Sequence, residues 1–261
     1  MELLDHVGGD EFAYCLLSPL ETLANVEEFS IRAKMVESSR DVINRLSQDH
    51  ITTYFLPMVH TLSTKEWFTS RMSASFLIPV GLSRASSPQD IELLLSWFSE
   101  LGKDETPMVR RTVLMNLWRA AEFVEEGSEG MEGLLSMFSE LISDPQDSVR
   151  IQTVDNVVHL SPILSKTSEE KKENEEEKKM NEGDPTAIDQ LIDIATAIAS
   201  DKAWRVRWTM ASKFSPLCQA LSLFPTSSLP LAIAFKLLLE VKKYLLISFF
   251  IECWVRMMKL R

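Results

Sequence analysis

The chain is poor in glycine and tyrosine, with 8 and 3 among its 261 residues. A sheet protein needs frequent turns and aromatic strand positions, and this supply leaves little material for one. Basic charge is not in excess either: 27 Lys and Arg against 38 Asp and Glu give a net charge of −11. Such a surface repels phosphate backbones, and no Lys/Arg cluster with interleaved aromatics offsets it locally, so nucleic acid is not an expected partner. Cys15, Cys218 and Cys253 are odd in number and far apart, with neither a Cys-x-x-Cys pair nor histidines at ligand spacing. This excludes a disulfide framework and a structural zinc, fits a reducing compartment, and casts the thiols as small buried apolar groups or idle ones.

Catalytic constellations are missing as well. His6, His50, His60 and His159 have no Asp, Glu or Cys at a spacing that makes a triad or metal site, and no Gly-rich phosphate loop or nucleophile elbow is present. A protein that is not an enzyme, with no cofactor and no metal, is expected. The longest uncharged apolar runs, Leu229 to Phe235 and Tyr244 to Ile251, fall well short of the roughly 20 residues that span a bilayer. The N-terminal Met-Glu-Leu-Leu-Asp-His lacks a basic region followed by an apolar one, so no signal peptide is expected. These absences point to a soluble protein of the cytoplasm, with the nucleus also open to it.

What the chain does have is hydrophobic residues at 45%, ample for a continuous core, and a repeating arginine. Arg32, Arg71, Arg110, Arg150 and Arg207 follow one another at spacings of 39, 39, 40 and 57; the last gap contains a charged run, Lys166 to Asp184, and without that run it shrinks to 38. Asp104, Asp144 and Asp201 lie six residues before the last three arginines, while Val26 and Lys65 hold that place before the first two. One before and three after each arginine stand Ile31 and Met35, Ser70 and Ala74, Val109 and Val113, Val149 and Thr153, Val206 and Met210, mostly apolar and at helical spacing. A unit of about 40 residues, with a stripe of period 3.6 on each side of a polar turn, predicts a HEAT-type helical hairpin and an all-α solenoid, antiparallel helix pairs in a curved stack.

The expected units are 11–47, 48–84, 85–125, 126–165 and 185–221, preceded by a stub of an earlier repeat at 1–10. The segment 166–184 has five Lys, eight Asp or Glu and no apolar residue but Met180, so it is expected as a disordered or loosely helical insertion, on composition a spacer rather than an acidic docking segment. Pro57 is expected to kink its helix. Thr106 is suited to cap a helix that opens on Pro107, and Asp147 or Ser143 to cap the next, which should reach about Leu164. Residues 222–261 form a divergent apolar helical tail, expected as two helices over the end of the stack.

Four turn motifs carry a family resemblance. Trp67-Phe-Thr-Ser-Arg-Met-Ser-Ala74, Asp104-Glu-Thr-Pro-Met-Val-Arg-Arg111, Gln146-Asp-Ser-Val-Arg150 and Asp201-Lys-Ala-Trp-Arg-Val-Arg207, together with Leu16-Leu-Ser-Pro-Leu-Glu-Thr-Leu-Ala24, closely resemble successive repeats of the scaffold (A) subunit of type 2A serine/threonine protein phosphatase. The match runs from about Val7 to Ala220, which implies about five repeats of the family's N-terminal half. The resemblance implies a non-catalytic scaffold whose ridge of turns holds a regulatory (B-type) subunit, with the platform for the catalytic subunit missing unless further repeats are supplied. Carried over onto this chain, the contact positions are Glu28, Trp67, Phe68, Pro107, Met108, Arg111, Ser148, Trp204 and Arg205. The sequence departs from the family at Pro145, at Ala203, in 166–184 and beyond Ala220.

Two kinds of recurring position call for different readings. An arginine that returns once per repeat is more often structural, and Arg110, Arg150 and Arg207 with Asp104, Asp144 and Asp201 are expected to form a ladder from turn to turn. Trp67 and Trp204 come at turns rather than in the stripe, where aromatics beside arginine anchor interfaces or pack on the next repeat; the resemblance favours binding. Trp97 and Trp118, among Leu94, Phe98 and Leu114, are expected in the core. A HEAT-repeat transport receptor or adaptor with a basic partner is the alternative that the acidic surface allows.

Overall fold

A computed structural model describes residues 2–125, 127–172, 187–221 and 228–241. The described chain is all-α and contains no strand. It divides into two compact units, Met1–Met137 and Phe138–Arg261.

The first unit opens with α1 (Glu2–Val7), a 3-10 segment (Asp10–Leu16) and α2 (Leu17–Leu23), and α2 packs against α3 (Phe29–Ile43). The next first helix is assembled from α4 (Gln48–His50), a π-helical stretch (Ile51–Phe55) and α5 (Leu56–Thr64), which packs against α6 (Phe68–Leu82). Pro57 explains the interruption. A proline cannot donate to the carbonyl four residues back and its ring clashes with it. The chain widens just before it, the Leu56 N–H donating to Ile51 O five residues back, and Pro57 then falls in the first turn of α5, so the expected kink takes the form of a π turn. The pair α7 (Pro88–Gly102) and α8 (Pro107–Ala121) follows.

First helices pack on first helices (α2 on α5, α5 on α7) and second on second (α3 on α6, α6 on α8). Helix α6 is therefore enclosed on nearly all sides, with Ser70, Ala74, Ser75, Leu77 and Ile78 buried. Its small Ser, Ala and Gly side chains let the neighbouring helices approach. Met35, Val113, Leu117 and Phe98 continue the core. Ile31 departs from its expected stripe and is exposed. The matching Ser70 is buried and donates to Asn25 Oδ1 in the turn of the repeat before it.

Helix α9 (Glu129–Leu141) crosses from the first unit into the second. The second unit continues with α10 (Asp147–Arg150), α11 (Thr153–Lys172), α12 (Ala187–Ala199), α13 (Trp204–Ser212), α14 (Phe214–Leu221) and α15 (Ser228–Val241). Helix α11 runs past Leu164 to Lys172, so the start of the charged run extends a helix; its remainder lies outside the described residues, as does the tail after Val241. Helix α12 packs against α11, α13 and α15, burying Leu191, Ile194, Ala195 and Ile198. No described helix is long and apolar enough to cross a membrane.

Of the two readings of the thiols, small buried groups or idle ones, exposed Cys15 takes the second, since Leu17 and Leu20 turn inward and leave it outside; Cys218 is half-buried, and Cys253 lies outside the described residues. Two further expectations are corrected. Trp97 and Trp118 are half-buried rather than core, and each shows a face to a polar partner: the Trp97 ring centroid is 5.1 Å from that of His60, and the Arg119 guanidinium lies 4.3 Å over the Trp118 ring. Neither Ser143 nor Asp147 caps α10, whose cap position belongs to Gln146.

Candidate partner-binding ridge

Every turn between a first and a second helix is held by its arginine in the same way. From Nη1, Arg32 donates to Val26 O (2.7 Å) and Glu27 O (2.6 Å), Arg71 to Lys65 O (2.9 Å) and Glu66 O (2.5 Å), and Arg110 to Asp104 O (2.7 Å) and Glu105 O (3.1 Å). Arg150 donates to Asp144 O (2.6 Å), and Arg207 to Asp201 O (2.5 Å) and Lys202 O (3.1 Å). The acceptors lie six residues upstream and, for Arg32, Arg71, Arg110 and Arg207, also five, where the backbone leaves one helix and has not entered the next. Such carbonyls have no helical partner, and a charged donor satisfies two at once. This is why the arginine recurs even where the aspartate does not.

The aspartates have two other tasks. Asp104, Asp144 and Asp201 each accept, on Oδ1, the N–H two residues on, from Thr106, Gln146 and Ala203 at 2.7–2.8 Å, which closes the turn just before the second helix. The carboxylate thus stands in for a cap, and the Thr106 hydroxyl, expected as the cap, instead interacts with Arg71 Nη2 at 3.2 Å. Asp104 and Asp201 also receive the arginine of the preceding turn. Arg71 reaches Asp104 through Nε (2.5 Å) and Nη2 (3.0 Å), and Arg150 reaches Asp201 in the same forked manner (2.7 and 2.9 Å). Both pairs are almost shut off from solvent, the Arg150 and Asp201 side chains being 5% and 10% exposed. Burial pushes the Asp201 carboxyl up, but the hydrogen bonds from Arg150 and the Ala203 N–H outweigh it and hold the group below its ordinary value.

With the backbone of these turns tied by their arginines, several large side chains at the start of the second helices project to solvent. Trp67 is the residue preceding α6 and Phe68 its first; Trp204 is the first of α13; Met108 is the second of α8. Trp67 and Trp204 are 65% and 64% exposed, and Phe68 and Met108 also face solvent. Trp67, Phe68 and Met108 converge with Met72, Asn25 and Arg32 on one concavity of about 510 Å³. Pro107 and Ser148 are half-buried in the same first turns, and Arg111 is half-buried with its Nε unpartnered among the described residues. Glu28 is spent locally, as the cap of α3 accepting from Ser30 N and Oγ. Arg205 is exposed and lies 3.6 Å from Asp147, beside Ser148. The tryptophan set of the first unit and that of the second are each formed within their own unit.

An exposed aromatic in the same helix-start register went unread in the sequence. Phe29, the first residue of α3, is 67% exposed. It stands three residues before Arg32, as Phe68 does before Arg71 and Trp204 before Arg207, and that register was the available signal. Among the described residues, no group of three His, Cys, Asp or Glu side chains could hold a metal ion.

No family model matches the chain. Individual relatives do. The regulatory A-type subunit of protein phosphatase PP2A from Schizosaccharomyces pombe is 36% identical over 216 residues, which is 83% of this chain and 34% of that protein. A probable serine/threonine-protein phosphatase PP2A regulatory subunit of Caenorhabditis elegans is 41% identical over 165 residues, 63% of this chain and 28% of that protein. The beta isoform of the human 65 kDa regulatory A-type subunit of serine/threonine-protein phosphatase 2A is 44% identical over 119 residues, 46% of this chain and 20% of that protein. Among solved structures, an engineered protein has a TM-score of 0.44 at 13% identity, covering 87% of this chain and 98% of that one. The chain spans about a third or less of the length of the curated relatives it matches, and with its clamped helical hairpins it belongs to the family of HEAT-repeat scaffold (A) subunits of type 2A serine/threonine protein phosphatase.

Proposed function

We propose that the chain is a non-catalytic scaffold segment that holds a regulatory (B-type) phosphatase subunit on its turn ridge. The observation that carries this is the convergence of Trp67, Phe68 and Met108 on one open concavity, at turns whose backbone is already satisfied by Arg32, Arg71 and Arg110. Large apolar side chains that the fold itself does not need, set on a rigid base, are the anchors interfaces use. Arg205, exposed in the second unit, supplies a charged rim contact beside Trp204, and Arg111 a half-buried one beside Met108.

On this reading the chain does no chemistry of its own. It engages a B-type subunit and does not recruit the catalytic subunit, for which further repeats are needed, and it does so in the cytoplasm. The test is a titration of the purified chain against a B-type subunit. Trp67→Ala and Met108→Ala are expected to weaken binding at least about 30-fold, each removing on the order of 2 kcal/mol, with the melting midpoint unchanged. Unaltered affinity in both variants sinks the assignment of the ridge. Co-precipitation of catalytic subunit, without full-length scaffold present, sinks the claim about recruitment. Tagged chain found outside the cytoplasm and nucleus overturns the placement.

A further inference from the structure

Three arginines of the first unit are left over from its internal bonding. Arg40 of α3 and Arg111 of α8 make no hydrogen bond or ion pair among the described residues, and Arg119 of α8 donates only to Met115 O of its own helix, at 2.7 Å. Every other described arginine is taken up by a carbonyl elsewhere in the chain or by a carboxylate, as Arg84 is by Leu46 O (2.8 Å) and Arg45 by Asp10 (2.9 Å). In a chain with 38 Asp and Glu against 27 Lys and Arg, cations without a carboxylate stand out.

The three share one groove. Arg40 and Arg119 stand in the last turns of α3 and α8, and burial followed by the nearby charge of Arg40 pushes the Arg119 guanidinium below its ordinary value, so the two helix ends approach each other across α6. At their first turns the same two helices already meet over α6, in the concavity lined by Arg32, Phe68, Met72 and Met108. The face of α6 continues from Phe68 and Met72 to the half-buried Phe76, and that of α8 from Met108 through Arg111 to Met115, which is 36% exposed, and Arg119. From Met108 to Arg119 the groove runs about three turns, roughly 16 Å, with an apolar floor and cations along one wall and at its far end.

We propose that this groove takes a short acidic amphipathic helix of the B-type subunit, its apolar side on Phe76 and Met115 and its carboxylates on Arg40, Arg111 and Arg119. The inference rests on the reading of the ridge as the B-type docking site and extends that site inward along the helix surfaces. Charge complementarity selects the occupant. Two arginines held near each other repel, and carboxylates that bridge them remove the repulsion while accepting forked hydrogen bonds. The chain's own acids do not do this: Glu37 is bonded to Lys34 at 2.7 Å, and Glu122 acts on Arg119 less than Arg40 does. An apolar floor between the cations suits a helix that shows apolar residues on one side, a common way for a groove between helices to be filled. A nucleic acid is disfavoured by the net charge of −11, which repels a polyanion well before contact.

Charge reversal and cross-linking on the full chain with a purified B-type subunit decide it. Arg40→Glu/Arg119→Glu is expected to weaken binding at least about tenfold, because the new carboxylates face those of the partner. Should the double variant melt early, Arg40→Glu alone, at an exposed position, is read in the same way. A benzophenone side chain in place of Met115 is expected to cross-link, on illumination, to a stretch of the B-type subunit rich in Asp and Glu. If Trp67→Ala weakens binding but the reversed arginines leave it within about twofold, this proposal falls and the ridge assignment stands. If the parent chain binds no B-type subunit, both fall. A cross-link to a basic stretch, or none, overturns the groove's occupant. Parent chain that binds phosphatidylcholine/phosphatidylserine vesicles through these arginines, with B-type affinity unchanged by their reversal, would assign them to an anionic lipid surface and also overturns the proposal.

Discussion

Arg150 and Arg205 both contact an aspartate, yet they should behave differently on substitution. Arg150 and Asp201 are nearly fully buried, and Arg150 also satisfies Asp144 O. Removing it strands a buried carboxylate and a carbonyl together, so Arg150→Ala is expected to lower stability by about 3–5 kcal/mol. The Arg205 side chain is 58% exposed and only 3.6 Å from Asp147, a geometry worth little in water, and Arg205→Ala should leave the melting midpoint within error. Denaturant melts of both variants measure the contrast. Acid supplies a second check on the same pair. Asp201 titrates below its ordinary value in the folded chain, so its contribution is complete above about pH 5, where the unfolded carboxylate is ionised, and is lost as pH falls through the folded value. The gap in midpoint between the parent and Asp201→Asn should be full at pH 6 and should narrow below pH 4; a gap that stays constant to pH 3 would show that the carboxylate charge plays no part.

The helices are held by how closely they approach, and two glycines show this with opposite signs. A Cβ on Gly81 of α6 would come within 2.9 Å of Phe55 Cε1 and 3.0 Å of Leu94 Cδ1, both on fully buried side chains of neighbouring elements. Gly133 of α9 is exposed and would meet nothing within 4 Å. Gly81→Ala is expected to destabilise by about 1–3 kcal/mol through overpacking, whereas Gly133→Ala should stabilise by about 0.5–1 kcal/mol through helix propensity. The same measurement reads both, and a stabilised Gly81→Ala would mean that α6 has room to shift. The π turn before Pro57 belongs to this scale too, since a proline near the start of a regular first helix forces the backbone to widen before the ring rather than after it.

Contacts in a repeat chain join neighbours only, so damage should stay where it is made. The molecule resolves into two compact units, and Arg150→Ala is expected to speed amide exchange in α12 and α13 at least about tenfold more than in α6 and α8. Mass-resolved exchange of the two helix sets measures this, and equal acceleration would mean that the chain opens as a single cooperative body. Such a chain suits scaffolding, because each turn can be a separate contact without the others having to rearrange.

The all-α repeat class, the hairpin register and the membership in the scaffold family were legible in the sequence, because a regularly returning arginine and a helical stripe are one-dimensional signals. The arginines could be read as structural, but not what they hold. Their acceptors are backbone carbonyls, which no residue type announces, and the aspartate six residues before Arg207 serves Arg150 from another repeat. Thr106 had the right chemistry for a cap, but its hydroxyl turns to Arg71 while its own N–H is taken by the Asp104 carboxylate. The exposure of Phe29, Trp67 and Trp204 was settled only in three dimensions, since a side chain at the start of a helix points to solvent or to the next repeat according to whether the turn behind it is tied down.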